Sequence, residues 1–306
     1  MNDASGGAEV LVICGPTGAG KSDIALRLAA RHGRDILVAD SRQVYRGFDI
    51  GTAKPSAEEQ RQVVHHAIDL VGPTDRFSAA QWTAVANRVL AQDPRRMPIV
   101  VGGTGLYLRA LFEGLFREPE HDPDRRAALL DWLDGHPTDE LRRWVSTLDP
   151  QRAHLGRTQL LRAAEVALLT GARISDLHRT ERTGSRWRPR YLVIDPGVSL
   201  AERIATRLDA MLASGWLDEV RRLHSPVPGD APAWKSSGYR VLRDVVEGKV
   251  SLDEARERIL IETRQYAKRQ RTWFRHQLPD ELTTRLDPQR PDVDAVVEQW
   301  FAGAGE

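Results

Sequence analysis

The sequence contains one cysteine, Cys14, among 306 residues. A single thiol excludes an intrachain disulfide and a zinc site built from a cluster of cysteines. No apolar run approaches the ~20 residues that a membrane-spanning helix needs. The first residues, MNDASGGAEV, lack the basic start and the apolar run of a secretion signal. We therefore expect a cytoplasmic protein without a membrane partner.

Neither basic nor acidic residues are in marked excess. The 44 Lys and Arg residues nearly balance the 43 Asp and Glu residues, so the net charge is +1. This balance excludes a uniformly basic nucleic-acid binder, but it leaves room for a local basic stripe. The 41% of hydrophobic residues can bury a sizeable core. The length predicts one large domain, or a core with a smaller domain.

Short apolar runs alternate with helical patterns in the first third of the chain. Residues 10–14, 36–39 and 99–101 form continuous apolar runs, and a fourth run follows at 191–194. Continuous apolar runs are typical of strands that are buried on both faces of a parallel sheet. Helical spacing occupies residues 21–32 between the first two runs. The pattern predicts an α/β fold with helices on both faces of a parallel sheet.

The second half of the chain is predicted to be mostly helical. Residues 122–178 show helical spacing without a clear strand, which predicts an all-helical insertion domain at 117–188 between core segments 1–116 and 189–306. Ser-x-x-Glu and Ser-x-x-Gln capping boxes predict three helix starts in the core segments. These are Ser78 with Gln81, Ser199 with Glu202, and Ser251 with Glu254.

A glycine-rich loop directly follows the first apolar run and directly precedes the first helix. It matches the phosphate-binding pattern G-x-x-x-x-G-K-[ST]. Its residues are Gly15, Pro16, Thr17, Gly18, Ala19, Gly20, Lys21 and Ser22. Glycines let backbone N–H groups approach phosphate oxygens, and the helix N-terminus adds positive charge. Lys21 supplies a cation and the Ser22 hydroxyl is placed to bind Mg²⁺, so we predict a P-loop NTPase-like core with Mg²⁺ as cofactor.

The nature of the phosphate compound is a separate question. The Asn-Lys-x-Asp motif of GTPases is absent. The second run ends at Asp40, whereas the third ends in Gly102-Gly103-Thr104-Gly105 without a carboxylate. From this pattern alone, Asp40 is a carboxylate near the metal, a catalytic base, or a solvated residue at a strand end.

Two longer runs resemble the signature of tRNA dimethylallyltransferases, the IPP transferase family. They are DSRQVYRGFDIGTAKP at 40–55 and VGGTGLY at 101–107. Later segments at 203–220, 238–240 and 268–275 are also similar, so the resemblance extends over about residues 10–275. The chain departs from the family's His-Pro-Asn-Asp turn at 154–162, where Arg162 keeps the pattern.

The resemblance implies transfer of a dimethylallyl group from dimethylallyl diphosphate to N6 of the adenosine that follows the tRNA anticodon. It implies that Asp40 is the base and Thr104 its catalytic partner, and that Arg207 binds the diphosphate together with the glycine-rich loop. Hydrolysis of ATP is not expected, and we expect a monomer. The tRNA-binding residues implied in this way are Asp40, Ser41, Arg42, Gln43, Thr104, Arg162, Gly238, Tyr239, Arg240, Lys268, Arg269, Gln270, Arg271, Trp273 and Arg275.

Three other functions stay open at this stage. An isopentenyltransferase acting on free adenine nucleotides would use the same loop, but it has little need of a basic C-terminal helix and a helical insertion. A kinase acting on a small metabolite would require ATP turnover. A non-catalytic RNA-binding protein would have no use for intact Lys21, Ser22, Asp40 and Thr104.

Overall fold

A computed structural model describes residues 7–114, 122–180 and 185–303. Its strands are β1 (Ala8–Cys14), β2 (Ile36–Val38), β3 (His65–His66), β4 (Ile99–Gly102), β5 (Trp187–Ile194) and β6 (Thr283–Leu286). Its α-helices are α1 (Lys21–His32), α2 (Ala57–Gln62), α3 (Ala79–Leu90), α4 (Gly105–Phe112), α5 (Pro123–Asp134), α6 (Thr138–Leu148), α7 (Arg157–Thr170), α8 (Ile174–Thr180), α9 (Leu200–Ala213), α10 (Trp216–His224), α11 (Tyr239–Val246), α12 (Leu252–Gln277) and α13 (Val293–Ala302).

The strands form one parallel sheet in the order β3-β2-β4-β1-β5-β6. Alternate residues of β1 face opposite sides, because side chains alternate along a strand. Val12 packs into a cluster with α3 and α4, whereas Ile13 packs with α1 and α13. The helices on both faces explain why the central strands are continuously apolar, and they confirm the predicted fold class.

Two edge strands were not predicted. β3 consists of His65 and His66 only, and β6 reads Thr-Thr-Arg-Leu with two exposed central residues. Neither has the apolar run of a buried strand. β5 begins at Trp187, so Trp187 and Arg188 belong to the sheet and not to the loop that leads into it.

Helix starts follow the predicted capping chemistry at two of three positions. Ser78 and Ser251 each accept a hydrogen bond from the backbone N–H three residues on, in complete capping boxes. The prediction for Ser199 was wrong. Its hydroxyl donates to Pro196 O at 2.9 Å, because a 3₁₀ turn at Gly197–Ser199 precedes α9 and holds this serine in a helical conformation.

The chain divides into two compact units. The larger contains the described residues up to Phe112 and from Arg186 onward, and the smaller contains those from Glu113 to Ser185. Helices α5 to α8 make up the smaller unit, and Leu141, Val145 and Leu160 lie in its buried cluster. Within the described residues, no helix is long and apolar enough to cross a bilayer.

Beside the sheet, α9 to α12 of the larger unit enclose a further apolar cluster. Phe48, Trp216, Trp234 and Tyr239 are its largest side chains, and the rings of Phe48 and Tyr239 lie 4.7 Å apart. Aromatic rings at this separation stabilise a cluster beyond the area that they bury. The cluster holds the loop after β2 in place beside α9 and α12.

Candidate functional site

The glycine-rich loop connects β1 to α1 at the carboxyl edge of the sheet. Gly18 has a φ of 79°, and a Cβ at this position would lie 2.9 Å from Ile204 Cγ1. Both the left-handed backbone and the close approach of α9 therefore require glycine. Arg203 donates from Nε to Gly18 O at 3.1 Å, so α9 also ties the loop through a hydrogen bond.

Two cations share a cavity with one carboxylate beside this loop. Lys21 donates from Nζ to Pro16 O at 2.7 Å. Burial and the nearby charge of Arg207 lower the pKa of Lys21 to about 8. Burial also lowers the pKa of Arg207, while the charges of Asp40 and Asp23 raise it. The two half-buried cations repel each other, so a bound anion would stabilise both.

Asp40 and Thr104 lie at the same edge of the sheet because they follow neighbouring parallel strands, β2 and β4. Asp40 Oδ1 accepts a hydrogen bond from Arg42 N at 2.8 Å. Thr104 Oγ1 accepts from Ser41 N at 3.1 Å, and Thr104 N donates to Ala39 O at 3.2 Å. The carboxyl edge of an open parallel sheet is where ligands bind in such folds, and here it carries a fixed carboxylate beside a hydroxyl.

Tyr266 of α12 completes this group, and the sequence analysis missed it. Burial, followed by the charge of Asp40, raises the pKa of the Tyr266 phenol to about 12. A hydrogen bond with Thr104 acts in the opposite direction and lowers this pKa. The phenol is therefore protonated at neutral pH. A signal was present in the sequence, because one face of α12 carries a stripe with helical spacing. Its residues are Ile259, Thr263, Tyr266, Gln270 and Trp273.

Lys21, Asp40, Arg207 and Tyr266 line one cavity of about 180 Å³. Its polar wall includes Lys21, Ser22, Asp40, Arg207 and Tyr266. The apolar part of its wall comes from strands, from α1, α9 and α12, and from the start of α10. These residues are Leu26, Ile36, Val38, Val101, Ile204, Leu208, Met211, Trp216 and Ile259. The cavity thus contains cations that can bind an anion, a carboxylate, and apolar walls between them.

Residues next to Asp40 also face this cavity. Arg42 and Gln43 line it, together with Thr52 and Ala53. Gln43 donates from Nε2 to Thr52 O and to Ala53 O, both at 3.1 Å. The Gln43 side chain therefore holds the returning loop at the cavity wall.

The basic segment of α12 divides into outward and inward residues. Lys268, Arg269 and Arg275 are exposed. Arg271 instead donates from Nε and Nη2 to the Asp195 carboxylate, at 2.9 and 2.6 Å. The first three cations are available to a partner, whereas Arg271 anchors the helix to the end of β5.

The remaining inward residues of this segment pack on the core. Trp273 is half-buried, and a Cβ on Gly105 would lie 2.4 Å from its ring. Gln270 is buried and hydrogen-bonded at both ends of its side-chain amide. Both side chains lie against the turn after β4 and not on the outer surface of α12.

The other predicted RNA residues differ in exposure. Gly238 and Tyr239 are buried at the start of α11, whereas Arg240 is exposed. In the smaller unit, Arg162 is half-buried and lies 2.8 Å from Glu165 in an ion pair. Arg240 is thus the member of the 238–240 segment that can meet a partner through its side chain.

Glu219 and Tyr239 form a buried network beneath the cavity wall. Glu219 is 4% exposed, and its Oε2 accepts from Asp49 N at 3.1 Å and from Ile50 N at 2.9 Å. The Tyr239 hydroxyl donates to Glu219 Oε1 at 2.6 Å and accepts from Gly51 N at 3.1 Å. The network fixes the loop that supplies Gly51 to the cavity.

Tyr239→Phe is expected to lower the free energy of unfolding by about 1.5–3 kcal/mol, because a hydrogen bond to a buried charged group is lost. Urea unfolding followed by circular dichroism measures this change. The affinity for tRNA should stay within twofold, since the hydroxyl faces the protein interior. A large loss of tRNA affinity without loss of stability would instead make Tyr239 an RNA contact.

Cys14 ends β1 beside the loop and is buried. Burial raises the pKa of its thiol to about 12. The thiol is therefore protonated at neutral pH and packs against the core instead of acting as a nucleophile.

The family model described as IPP transferase matches residues 43–277 of this chain. The chain belongs to the IPP transferase family. A second family model, Isopentenyl transferase, matches residues 8–69 of this IPP transferase. The two matches together cover the glycine-rich loop, Asp40, Thr104 and α12, and they confirm the resemblance inferred from the sequence.

Curated relatives of this IPP transferase are named tRNA dimethylallyltransferase. That of Geobacter metallireducens is 43% identical over 278 residues, and the match covers 87% of this chain and 89% of the relative. That of Thermosynechococcus vestitus is 39% identical over 303 residues, and the match covers 95% of each chain. The similarity extends over nearly the whole chain, including the helical insertion.

Solved structures agree with the fold. The tRNA isopentenylpyrophosphate transferase of Bacillus halodurans matches with a TM-score of 0.66 and 31% identity, over 97% of this chain and 96% of that one. A eukaryotic dimethylallyltransferase, in a crystal structure described as acting on tRNA, matches with a TM-score of 0.78 and 26% identity. The alignment with the eukaryotic protein covers 95% of this chain and 77% of that one.

Proposed function

We propose that this IPP transferase moves a dimethylallyl group from dimethylallyl diphosphate to N6 of the adenosine on the 3′ side of the tRNA anticodon, with release of diphosphate. The observation that carries the proposal is one cavity that is lined by Lys21, Arg207 and Asp40 together with apolar side chains. Thr104 is hydrogen-bonded to the backbone directly after Asp40. Prenyl transfer needs an anion site for the leaving group, a dry space for the prenyl chain and an acceptor for one proton.

The leaving group is the first requirement. The bond between the allylic C1 carbon and the diphosphate oxygen breaks, so negative charge grows on the diphosphate. Lys21, Arg207 and the backbone N–H groups of the glycine-rich loop are suited to receive this charge. A preorganised donor of this kind contributes on the order of 3 kcal/mol to lowering the barrier.

The nucleophile is the second requirement. The adenosine N6 attacks C1 and must lose one proton as the new N–C bond forms. We propose Asp40 as the base that takes this proton and Thr104 as its catalytic partner, which holds the amine through its hydroxyl. Tyr266 is hydrogen-bonded to Thr104 and is suited to orient that hydroxyl.

The prenyl chain is the third requirement. An allylic cation reacts with water, so the transfer has to take place in a space that excludes water. Val38, Ile204, Leu208 and Met211 line the cavity with apolar side chains. Their surfaces suit a five-carbon hydrocarbon and keep water from the reacting carbon.

Mg²⁺ fits the donor set of the loop. Ser22 lines the cavity beside Lys21 and offers one hydroxyl oxygen. Mg²⁺ usually keeps several waters and binds phosphate oxygens with few protein ligands, so one hydroxyl suffices. Within the described ranges, no group of three or more His, Cys, Asp or Glu side chains could form a separate metal site. We propose that Ser22 holds the ion, which would neutralise charge on the diphosphate.

Recognition of tRNA is proposed at the loop after β2 and on the outer surface of α12. An adenosine in an anticodon loop must leave its stack to enter a cavity, at a cost of a few kcal/mol. Ser41, Arg42 and Gln43 lie beside the base and are suited to contact the extruded nucleotide or its neighbours. The exposed cations of α12, together with Arg240, are suited to phosphates.

Replacing Lys268 and Arg269 by alanine is expected to weaken tRNA binding and to reduce its salt slope by about 2, because each exposed cation neutralises about one phosphate. Filter binding across a salt series measures the slope. A double variant with Arg27 and Arg31 replaced by alanine removes the same charge from α1, where these residues pair with Asp294 and Glu298, and it should leave the slope unchanged. Equal effects of the two double variants on the salt slope would show that the α12 cations act on tRNA only through the net charge of the protein.

The proposed function is tested by a transfer assay with Mg²⁺, radiolabelled dimethylallyl diphosphate and either unmodified tRNA or AMP. Label on tRNA alone is the expected result. The match to the Isopentenyl transferase model over residues 8–69 supports a second candidate, prenylation of a free adenine nucleotide. Label on AMP alone would establish that candidate and overturn the first.

The monomeric state and the cytoplasmic location stay predictions.

A further inference from the structure

Gln270 makes two hydrogen bonds between segments that are far apart in the sequence. Its Oε1 accepts from Thr17 N in the glycine-rich loop at 2.8 Å, across 253 residues. Its Nε2 donates to Gly103 O in the turn after β4, also at 2.8 Å. One side chain of α12 therefore connects the loop proposed to hold the diphosphate to the turn that carries Thr104.

The surroundings of Gln270 are those of a structural crosslink. The residue is 6% exposed, and each end of its amide has a protein partner. Both the oxygen and the nitrogen of the amide are therefore engaged within the protein, at a position that lines the cavity. The assignment of Gln270 to tRNA binding stays a prediction, and the structure gives this side chain a role as a crosslink within the fold.

The two hydrogen bonds require a side chain that donates and accepts at a fixed spacing. A carboxylate only accepts, and a thioether is a weak acceptor, so neither reproduces both bonds. The absence of a side chain at Gly103 leaves space for this contact, because a Cβ at position 103 would lie 2.3 Å from Gln270 Nε2. An alanine at 103 would displace the amide while leaving Gln270 itself in the sequence.

The crosslink continues to the reacting groups. Gly103 precedes Thr104, whose hydroxyl accepts from Ser41 N next to Asp40. On α12, Arg271 comes directly after Gln270 and holds the helix to Asp195 at the end of β5. Movement of the Gln270 amide would therefore change the position of the glycine-rich loop relative to the turn beside the base.

We infer that Gln270 is a positioning residue that sets the distance between the diphosphate loop and the acceptor site. The inference rests on the proposed function for its kinetic consequence. Transfer between two bound groups depends on their alignment, and a displacement of about 1 Å can cost on the order of 10²-fold in rate.

The test compares Gln270→Met, Gly103→Ala and the matched control Gln265→Met, which makes the same change at an exposed position of α12. Single-turnover transfer at saturating tRNA and dimethylallyl diphosphate is expected to fall on the order of 10²-fold in the first two variants. Their affinity for inorganic diphosphate should fall about threefold to tenfold, because the loop has lost one hydrogen bond. Their affinity for tRNA should stay within twofold, and Gln265→Met should match the unaltered protein throughout.

Two results would overturn the inference. The first is a tenfold loss of tRNA affinity with an unchanged rate at saturation, which would make Gln270 an RNA contact. The second is an unchanged rate and an unchanged diphosphate affinity in both Gln270→Met and Gly103→Ala. If thermal melting shows that Gln270→Met does not fold, Gly103→Ala decides. If the unaltered protein fails to label tRNA, the proposed function fails, while the diphosphate measurement still tests the crosslink.

Discussion

Replacing Asp40 by asparagine should lower the rate of prenyl transfer at saturating substrates by about 10²–10⁴-fold, because the amine then has no base to take its proton. The asparagine Oδ1 can still accept the hydrogen bond from Arg42 N that Asp40 makes at 2.8 Å, so the local fold should persist. The affinity for dimethylallyl diphosphate should change little, since the base acts on the amine and not on the leaving group. Rapid-quench kinetics and equilibrium binding of the diphosphate measure the two effects separately.

Asp35→Asn is the matched control for this variant. Asp35 lies just before β2, whereas Asp40 follows the carboxyl end of that strand. The Asp35 carboxylate is hydrogen-bonded to His66 Nε2 at 2.9 Å. The control should transfer the prenyl group at the rate of the unaltered protein. Loss of diphosphate affinity in Asp40→Asn, with the rate per bound substrate preserved, would show that Asp40 acts on the metal or the diphosphate side.

Replacing Lys21 by methionine should lower the maximal rate by about 10²–10³-fold, as expected when one preorganised charge-stabilising group is removed. Methionine fills a similar volume without charge, and the apolar part of the cavity should be retained. Arg27→Met, on the exposed side of the same helix, removes a cation that pairs with Asp294 at 3.3 Å and should leave the rate unchanged. An unaltered rate in Lys21→Met would exclude the loop lysine from stabilising the leaving group.

The pH dependence of diphosphate binding gives a second test of Lys21. Its pKa is lowered to about 8 in the free protein, so the amine is charged below this pH and neutral above it. Bound diphosphate favours the charged form and raises the pKa. The affinity of the unaltered protein should therefore fall above pH 8, relative to Lys21→Met, by up to about tenfold per pH unit until the pKa of the complex is reached. Parallel affinity profiles of the two proteins would contradict this coupling.

The sequence predicts the parts of the site that depend on local chemistry. A strand, the eight-residue motif from Gly15 to Ser22 and the helix that begins within it form one continuous segment, so the phosphate site could be recognised without knowledge of the rest of the fold. Asp40 and Thr104 follow predicted parallel strands, and the carboxyl ends of such strands meet at one edge. The helical character of the smaller unit could likewise be predicted, since residues 122–178 show helical spacing without a clear strand.

Tertiary structure alone determines what meets the inward side of each element. The stripe on α12 indicates that Tyr266 and Gln270 face the interior, but helical spacing carries no information on the partner. The partner of Gln270 at Thr17 is 253 residues away. Glu219 has the composition of an ordinary charged helix residue, and only packing reveals that it holds the loop at Asp49 and Ile50.

The basic segment 268–275 shows the same division in one helix. From the sequence, Lys268, Arg269 and Arg271 are equivalent cations, and the resemblance assigned all three to tRNA. In the fold, Asp195 neutralises Arg271 at the end of β5, while Lys268 and Arg269 stay exposed. Local order along the chain therefore determines the chemistry that is available. Long-range packing decides which groups are used inside the protein, because a charge or amide acts only on what lies within a few ångströms of it.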